Sequence, residues 1–415
     1  MGKRVVITGI GAVSTAGSNL EEIYESILAK KTFISEIESF DTTDFEVKVA
    51  GEIKDFDPSK YIDKKAQKRM DRVTQFGVYA ANLAYEDAQF KKDELKDNIR
   101  CGVIIGSGIG GLETIENEHT RGQKRGFEKI SPFFIPMSII NMNSAQIGIS
   151  LGINGQNYSP VTACSAGTDA IGQGYRLIKD GYADVMITGG TEASITPLGL
   201  GGFSSMKALS FQTDPQRASI PFDKERDGFV MGEGAGILIL EELEHAKDRG
   251  AKIYGEIVGY GSTSDGFHIT APHENGKFAS LAMEMPIKEG NLEPNDIDYI
   301  NAHGTSTPLN DKIETKAIKN TFKDHAYELF VSSTKSMTGH LLGASGAIEG
   351  IISLVALNKS IIPPTLNYKV FDEDCDLKIV PNEPIIKTID YVMSNSLGFG
   401  GHNSSLIFKR WGEDA

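Results

Sequence analysis

The run CSAGTDAIGQGYRLIKDGYADVMITGG (residues 164–190) sets a helical pattern directly against a strand-like one. Gly167, Ile171, Gly174, Tyr175 and Ile178 fall at the spacing of one buried helix face, which predicts a helix over 166–179. Val185–Thr188 then reads as a short apolar strand. The small-residue turn VTACSAG places Cys164 at or just before the helix start, beside unsatisfied backbone N–H groups and the positive end of the helix dipole. A thiol there is expected to lose its proton more easily, and the thiolate is the reactive form. Taken alone, a buried structural cysteine is the simpler reading, because free cysteine is among the most buried residue types.

Working outward, the same alternation fills the chain. Strands are expected at Arg4–Thr8, Gly102–Ile105, Val185–Thr188, Ile237–Leu240, Tyr254–Tyr260, Tyr299–Ala302, Leu329–Ser332 and Tyr391–Ser394. Helices are expected at Leu20–Ala29, Gln75–Asp87, Ala166–Lys179, Phe278–Lys288, Lys312–Phe322 and Ala344–Leu357. This pattern implies an α/β protein with largely parallel sheets. The length of 415 residues exceeds what one core usually supports, so two fused halves are expected. CSAGTDAIGQG and HLLGASGAIEG hint at such a repeat, each setting a candidate reactive residue, Cys164 or His340, before a small-residue helix start.

The three cysteines (Cys101, Cys164, Cys375) lie far apart with no CxxC pair, which disfavours a disulfide framework or structural zinc and suits a reducing cytosol. The N-terminus runs straight into a strand, and no long uncharged apolar span occurs, so a soluble cytoplasmic protein is expected. A net charge of −14 disfavours a general nucleic-acid binder. Against that acidic background stands the basic run KKAQKR, in which a helix would carry Lys65, Lys68 and Arg69, next to Lys64, on one face. The run IGSGIGGL (105–112) contains a GxGxxG pattern, but the following ETIENEHTRGQKRG is polar and poorly periodic. A dinucleotide site needs a helix opening at once, so no nucleotide cofactor is expected.

Three further segments carry chemistry. NAHGTSTPLND (301–311) puts His303 just after a strand, SSTKSMTGHLLGASGAIEG (332–350) holds Lys335, His340 and Glu349, and SNSLGFGGHN (394–403) is a glycine-rich turn around Phe399. Singly, each has a structural explanation. Together, a cysteine at a helix start and two histidines form the inventory for acyl transfer through a thioester. Two neutral imidazoles can hold a thioester carbonyl and its enolate, and the N–H groups of the turn can hold an oxyanion.

These motifs, with VVITGIGAVS and DKERDGFVMGEGA, resemble those of the elongating β-ketoacyl-(acyl carrier protein) synthases of type II fatty-acid synthesis, in the thiolase superfamily. The resemblance spans essentially the whole chain, and Ile109 in GSGIGGL and Phe134 in the PFF segment favour the synthase II subclass. The synthase I subclass and polyketide ketosynthases share much of the pattern. A thiolase needs a second catalytic cysteine, for which SLGFGGHN has no counterpart.

The resemblance implies an α-β-α-β-α layered thiolase-like fold, with halves at 1–252 and 253–415. By similarity, Cys164 takes the acyl chain, His303 and His340 hold the malonyl thioester, and the N–H groups of Cys164 and Phe399 form the oxyanion hole. Lys335, with Glu349, orients the histidines, and Asp311 and Glu314 brace the site. Ile109, Phe134, Phe203, Thr305, Thr307 and Gly400 match substrate-contact positions, with Phe399 as the gate to Cys164. The acidic carrier protein supplies a reason for the basic patch of Lys64, Lys65, Lys68 and Arg69, to which Lys124, Arg125, Lys129 and Lys207 can add. A homodimer is implied, with no cofactor and no metal among the site residues, although a cation near Asn301, Glu349 and Ser394–Asn395 stays open. His402, where many relatives carry Thr, departs from the pattern.

Overall fold

The computed structural model describes residues 2–91 and 93–412. Ten strands form one continuous sheet: β1 (Val5–Val13), β2 (Cys101–Gly106), β3 (Asn157–Tyr158), β4 (Val185–Glu192), β5 (Gly234–Glu242), β6 (Gly255–Ser264), β7 (Tyr299–Asn301), β8 (Phe330–Ser332), β9 (Tyr391–Gly398) and β10 (His402–Lys409). Their order is β8-β7-β9-β10-β6-β1-β5-β4-β2-β3. Every half-sheet relation is repeated across the β6–β1 junction. In the first half β1–β5 and β5–β4 are antiparallel, and β4–β2 and β2–β3 parallel. In the second, β6–β10 and β10–β9 are antiparallel, and β9–β7 and β7–β8 parallel. The chain therefore consists of two related five-stranded halves.

The sheet is mixed, not largely parallel as the alternation suggested. Five neighbouring pairs are antiparallel and four parallel, because β1 and β6 meet antiparallel at the junction and β9–β10 is a hairpin. Strand β10 was not anticipated, because its NSSLIF core offers only a brief apolar run. All residues of β1 and β4 are buried, as expected of strands covered on both faces.

The longer helices are α1 (Leu20–Leu28), α2 (Arg72–Asp87), α3 (Leu112–Arg125), α4 (Met142–Leu151), α5 (Ala166–Lys179), α6 (Pro197–Ser205), α7 (Lys277–Glu289), α8 (Pro308–Phe322) and α9 (Ser345–Lys359). Helices α5 and α9 pack on each other between the two sheet halves, α2 covers β1, β5 and β4, and α7 covers β6 and β10. This is the five-layer α-β-α-β-α arrangement. Central placement explains why α9 is buried continuously from Ser345 to Leu357 instead of showing one wet face. Gly9 and Gly11 let α2 lie against β1, since a Cβ there would come within 2.4 Å of the Ala84 carbonyl and 2.2 Å of the Ala80 carbonyl.

The polar, poorly periodic stretch 113–126, in which no helix was expected, is nevertheless helical through α3. It opens directly after the GxGxxG run, from Gly111, with an exposed polar surface and only Thr114 and Gly122 fully buried, so its sequence carries little apolar period. The N–H groups of Gly108 and Ile109 donate to the buried Glu192 carboxylate at the end of β4.

Candidate active site

Four chain segments meet around Cys164. The first is a tight turn, Ala163–Ser165, which delivers the cysteine immediately before α5. Ala163 sits at φ 50°, in the left-handed region that side chains disfavour. The second follows β7 and carries His303. The third runs from Lys335 to the Leu342–Ala344 turn before α9 and carries His340. The fourth is the β9–β10 hairpin turn with Phe399. Together they wall a cavity of about 420 Å³ that includes Cys164, His303, His340, Thr305, Thr307, Phe203 and Phe399.

The Cys164 sulfur lies 3.1 Å from His340 Nε2. His340 Nδ1 lies 2.9 Å from the Ser345 hydroxyl, which can donate or accept and so suits either imidazole tautomer. The His303 ring stands at 85° to the His340 ring with centroids 5.2 Å apart. Ligand atoms of Cys164, His303 and His340 all lie within 4.8 Å of one another. Both imidazoles are buried, and desolvation, reinforced by the Lys335 charge, holds their pKa values well below the ordinary histidine value. They are therefore neutral at pH 7, each with one N–H to donate.

The thiol departs from expectation. Burial pushes it up to about 12, whereas the helix start was expected to push it down. Lys335 and the N–H groups of Phe399 and Cys164 itself act in the expected direction, but desolvation of the thiolate in a closed apolar setting is larger. The resting group is a thiol, and its nearest base is His340.

The supporting charges come from the second half. Lys335 and Glu349 are ion-paired and almost fully buried. Burial raises the Glu349 and Glu314 carboxyls to about 7. Glu314 accepts the backbone N–H groups of His303 (2.8 Å) and Gly304 (2.7 Å), holding the His303 turn by its main chain. Asp311 accepts from Phe222 N–H at 2.9 Å, faces Arg226 and also takes the Thr305 N–H, so it ties the 222–226 segment to the turn after His303. The Asn301 amide, Glu349 Oε2 and Ser394 Oγ are buried without hydrogen-bond partners, and Asn301 and Ser394 are register neighbours. Their oxygens would suit a hard cation.

Other expected residues sort differently. Ile109 packs in the apolar cluster that contains Cys164, Phe203 and Leu342. Thr305 and Thr307 share a 3.0 Å hydroxyl contact on the cavity wall. Phe134 does not line the cavity of its own chain; it is half-buried in a short helix beside exposed Ile135 and Ile139. Gly400 is exposed, and its N–H is committed to the Ile269 carbonyl at 2.8 Å, leaving Phe399 as the donor of that turn that faces the sulfur. In the basic patch the helix ends at Gln67, so Lys68 and Arg69 continue in a turn instead of sharing a helical face with Lys65. Lys64, Lys65, Lys68, Arg69, Lys129 and Lys207 are all exposed; Arg69 stacks on Phe133 at 4.5 Å, and Lys207 stands at the cavity mouth.

Two buried carboxylates escaped the sequence reading. Asp169, in the first turn of α5, accepts from the Thr162 hydroxyl at 2.5 Å, the Tyr260 hydroxyl at 2.6 Å and the Ser404 hydroxyl. It thereby ties the cysteine turn to β6 and β10 of the other half. Glu192 ties the Ile109 loop to the turn after His340.

Comparison with known proteins agrees with this geometry. Residues 2–246 match the family model "Beta-ketoacyl synthase, N-terminal domain", and residues 254–369 match "Beta-ketoacyl synthase, C-terminal domain". The chain is 50% identical over 410 residues to the 3-oxoacyl-[acyl-carrier-protein] synthase 2 of Synechocystis sp., covering 99% of this chain and 98% of that one. It is 51% identical over 411 residues to the enzyme of the same name from Staphylococcus aureus strain N315, covering 99% of both. Among solved structures, a β-ketoacyl synthase from Burkholderia phymatum superposes with a TM-score of 0.92 at 34% identity, over 99% of this chain and all of that one. A type II polyketide ketosynthase in complex with its acyl-carrier protein superposes with a TM-score of 0.91 at 33% identity, with the same coverage.

Proposed function

The chain belongs to the β-ketoacyl synthase family, and on that premise we propose that it condenses an acyl group held on Cys164 with malonyl-(acyl carrier protein). The products are 3-oxoacyl-(acyl carrier protein) and CO2, the elongation step of fatty-acid synthesis. The observation that carries the reading is the Cys164–His340 contact of 3.1 Å with His303 at right angles behind it, in one buried cavity.

In the first half-reaction the Cys164 thiol gives its proton to His340 Nε2 as sulfur attacks the acyl thioester, and His340 returns it to the departing carrier thiol. The tetrahedral oxyanion takes the N–H groups of Cys164 and Phe399. Losing one such donor costs about 10²–10³ in rate. In the second, the N–H groups of His303 and His340 hold the malonyl thioester oxygen. CO2 leaves, the resulting enolate attacks the Cys164 thioester carbonyl, the C–S bond breaks, and the departing sulfur takes up a proton from solvent. Burial, with the Lys335 charge beside it, keeps both imidazoles neutral for that role. Thr305, Thr307 and Phe203 line the route for the carrier's arm and the acyl chain, and Phe399 gates Cys164.

An acidic carrier protein is the macromolecular substrate. The exposed basic groups from Lys64 to Arg69, with exposed Lys129 and with Lys207 at the cavity mouth, support that reading. We also infer a homodimer: β3 ends the sheet, and Ile135, Ile139, Ile149, Tyr158 and Val161 near it are exposed apolar side chains. Three free cysteines suit a cytoplasmic setting, and no helix among the described residues is long and apolar enough to cross a membrane. We place the division of the halves at 252/253, between β5 and β6.

Mass spectrometry after incubation with acyl-(acyl carrier protein) tests the reading. An acyl adduct on Cys164 is expected, and its absence overturns the proposal. His303→Ala should still form the adduct but fail at decarboxylation.

A further inference from the structure

The two halves superimpose the catalytic turn on a second, unused turn. Ala163–Ser165 precedes α5, and Leu342–Ala344 precedes α9; Ala163 and Leu342 both adopt left-handed backbone, at φ 50° and 48°. By helix start, the counterpart of Cys164 is therefore Gly343, three residues beyond the His340 that the sequence repeat had paired with it.

The strands that end at these turns also correspond. β4 and β9 each have eight residues and equivalent places in the sheet, with an antiparallel neighbour on one side (β5, β10) and a parallel one on the other (β2, β7), so Glu192 and Gly398, their last residues, are mates. Near Cys164 the mate is glycine, and a Cβ there would come within 3.2 Å of the Cys164 backbone N. Near Gly343 the mate is Glu192, whose Oε2 accepts Gly343 N–H at 3.1 Å and Gly108 N–H at 2.7 Å. Its Oε1 accepts from Ile109 N–H at 3.3 Å, the Ser107 hydroxyl at 3.3 Å and the Ser194 hydroxyl at 3.1 Å. The carboxyl is fully buried, and burial raises its pKa while the N–H groups of Gly108, Gly343 and Ile109 and the Ser194 hydroxyl pull it back; among the described residues no lysine, arginine or histidine pairs with it.

We propose that Glu192 is a positioning residue: its carboxylate plugs the symmetry mate of the oxyanion pocket and thereby holds Ile109 and Leu342 as acyl-pocket walls beside Cys164. Ile109 and Leu342 both pack in the apolar cluster that contains Cys164. Glu192 grips the N–H of Ile109 itself and of the residue after Leu342. In its ionised form this carboxylate disfavours the Cys164 thiolate, which makes its presence legible at the sulfur. The pocket-wall part rests on the condensing reading above; the electrostatic part does not.

Glu192→Gln and Glu192→Ala, in the full chain, test the proposal. The rate of Cys164 alkylation by iodoacetamide at pH 8 should rise by about threefold or more in Glu192→Gln, since removing the anion lowers the thiol pKa. Preference between short and long acyl-carrier substrates should shift in the same variant. Glu192→Ala should lose condensation by at least about tenfold and regain part of it with formate, which refills the site, but not with formamide. Should Glu192→Ala fail to fold, Glu192→Gln decides alone. A wild-type alkylation profile together with wild-type chain preference in Glu192→Gln overturns the proposal. Because alkylation needs no carrier substrate, a chain inactive in condensation still reports on Glu192.

Discussion

The turn at 163–165 and the turn at 342–344 share a left-handed first residue, a helix that starts on the next residue, and a place between the two sheet halves. They differ in what occupies the space above their backbone N–H groups. At Cys164 the neighbouring strand ends in Gly398, and the N–H stays free for substrate oxygen. At Gly343 the neighbouring strand ends in Glu192, and the N–H is taken by the protein's own carboxylate. The proposed reactive centre and the proposed brace thus arise from one backbone design. What separates them is two side chains: sulfur against hydrogen at the turn, and hydrogen against carboxylate at the strand end.

The most severe way to break that contrast is to plug the live side. Gly398→Glu would carry a carboxylate toward the Cys164 N–H, copying the arrangement at Gly343. Condensation should fall by about 10³-fold or more, since an oxyanion donor is lost and a charge enters the cavity, and no acyl adduct should appear by mass spectrometry.

Lys335→Met tests the charge that only the histidine side possesses. Lys335 holds both imidazoles down, so its loss lets their pKa values rise and moves the acid limb of the acylation rate to higher pH. The rate at pH 6 should drop more than the rate at pH 8. Breaking the buried pair should cost about 3–5 kcal/mol at neutral pH. The sign with pH follows from Glu349, already raised to about 7 in the folded chain. The folded state binds a proton there before the unfolded state does, so the variant gains stability as pH falls from 7 toward 5. Denaturant titrations at the two pH values check this.

The smallest effect concerns the shared backbone. Ala163→Gly removes a Cβ from a residue at φ 50°, and the relieved strain roughly offsets the extra entropy of glycine. Stability should change by less than about 1 kcal/mol, read by thermal unfolding, with the acyl adduct still forming. A large change would mean that the turn is held by something other than its backbone.

Much of the site was legible because the reactive residues sit in local motifs. Cys164 before a helix pattern, His303 after a strand and Phe399 in a glycine turn each carry their own punctuation, and the structure gathers all three with His340 around one cavity. Glu192 was not legible. It is one acidic residue ending an apolar strand, and its partners, Gly108 and Gly343, lie 84 and 151 residues away. Helix α3 was missed because a mostly exposed helix need not show an apolar period. The sheet direction was misjudged because alternation of elements does not reveal how β1, β5 and β6 come together.

The sequence by itself determined the family and pointed to the proposed nucleophile, the two histidines and the existence of related halves, since each depends on residues near one another in the chain. The tertiary structure alone decided that the Cys164 thiol is raised, that Phe134 stands outside its own chain's cavity, and that Gly343, not His340, takes the place of Cys164 before the matching helix. Those facts depend on desolvation and on contacts between the halves. Neither exists until the two sheet halves have closed over α5 and α9.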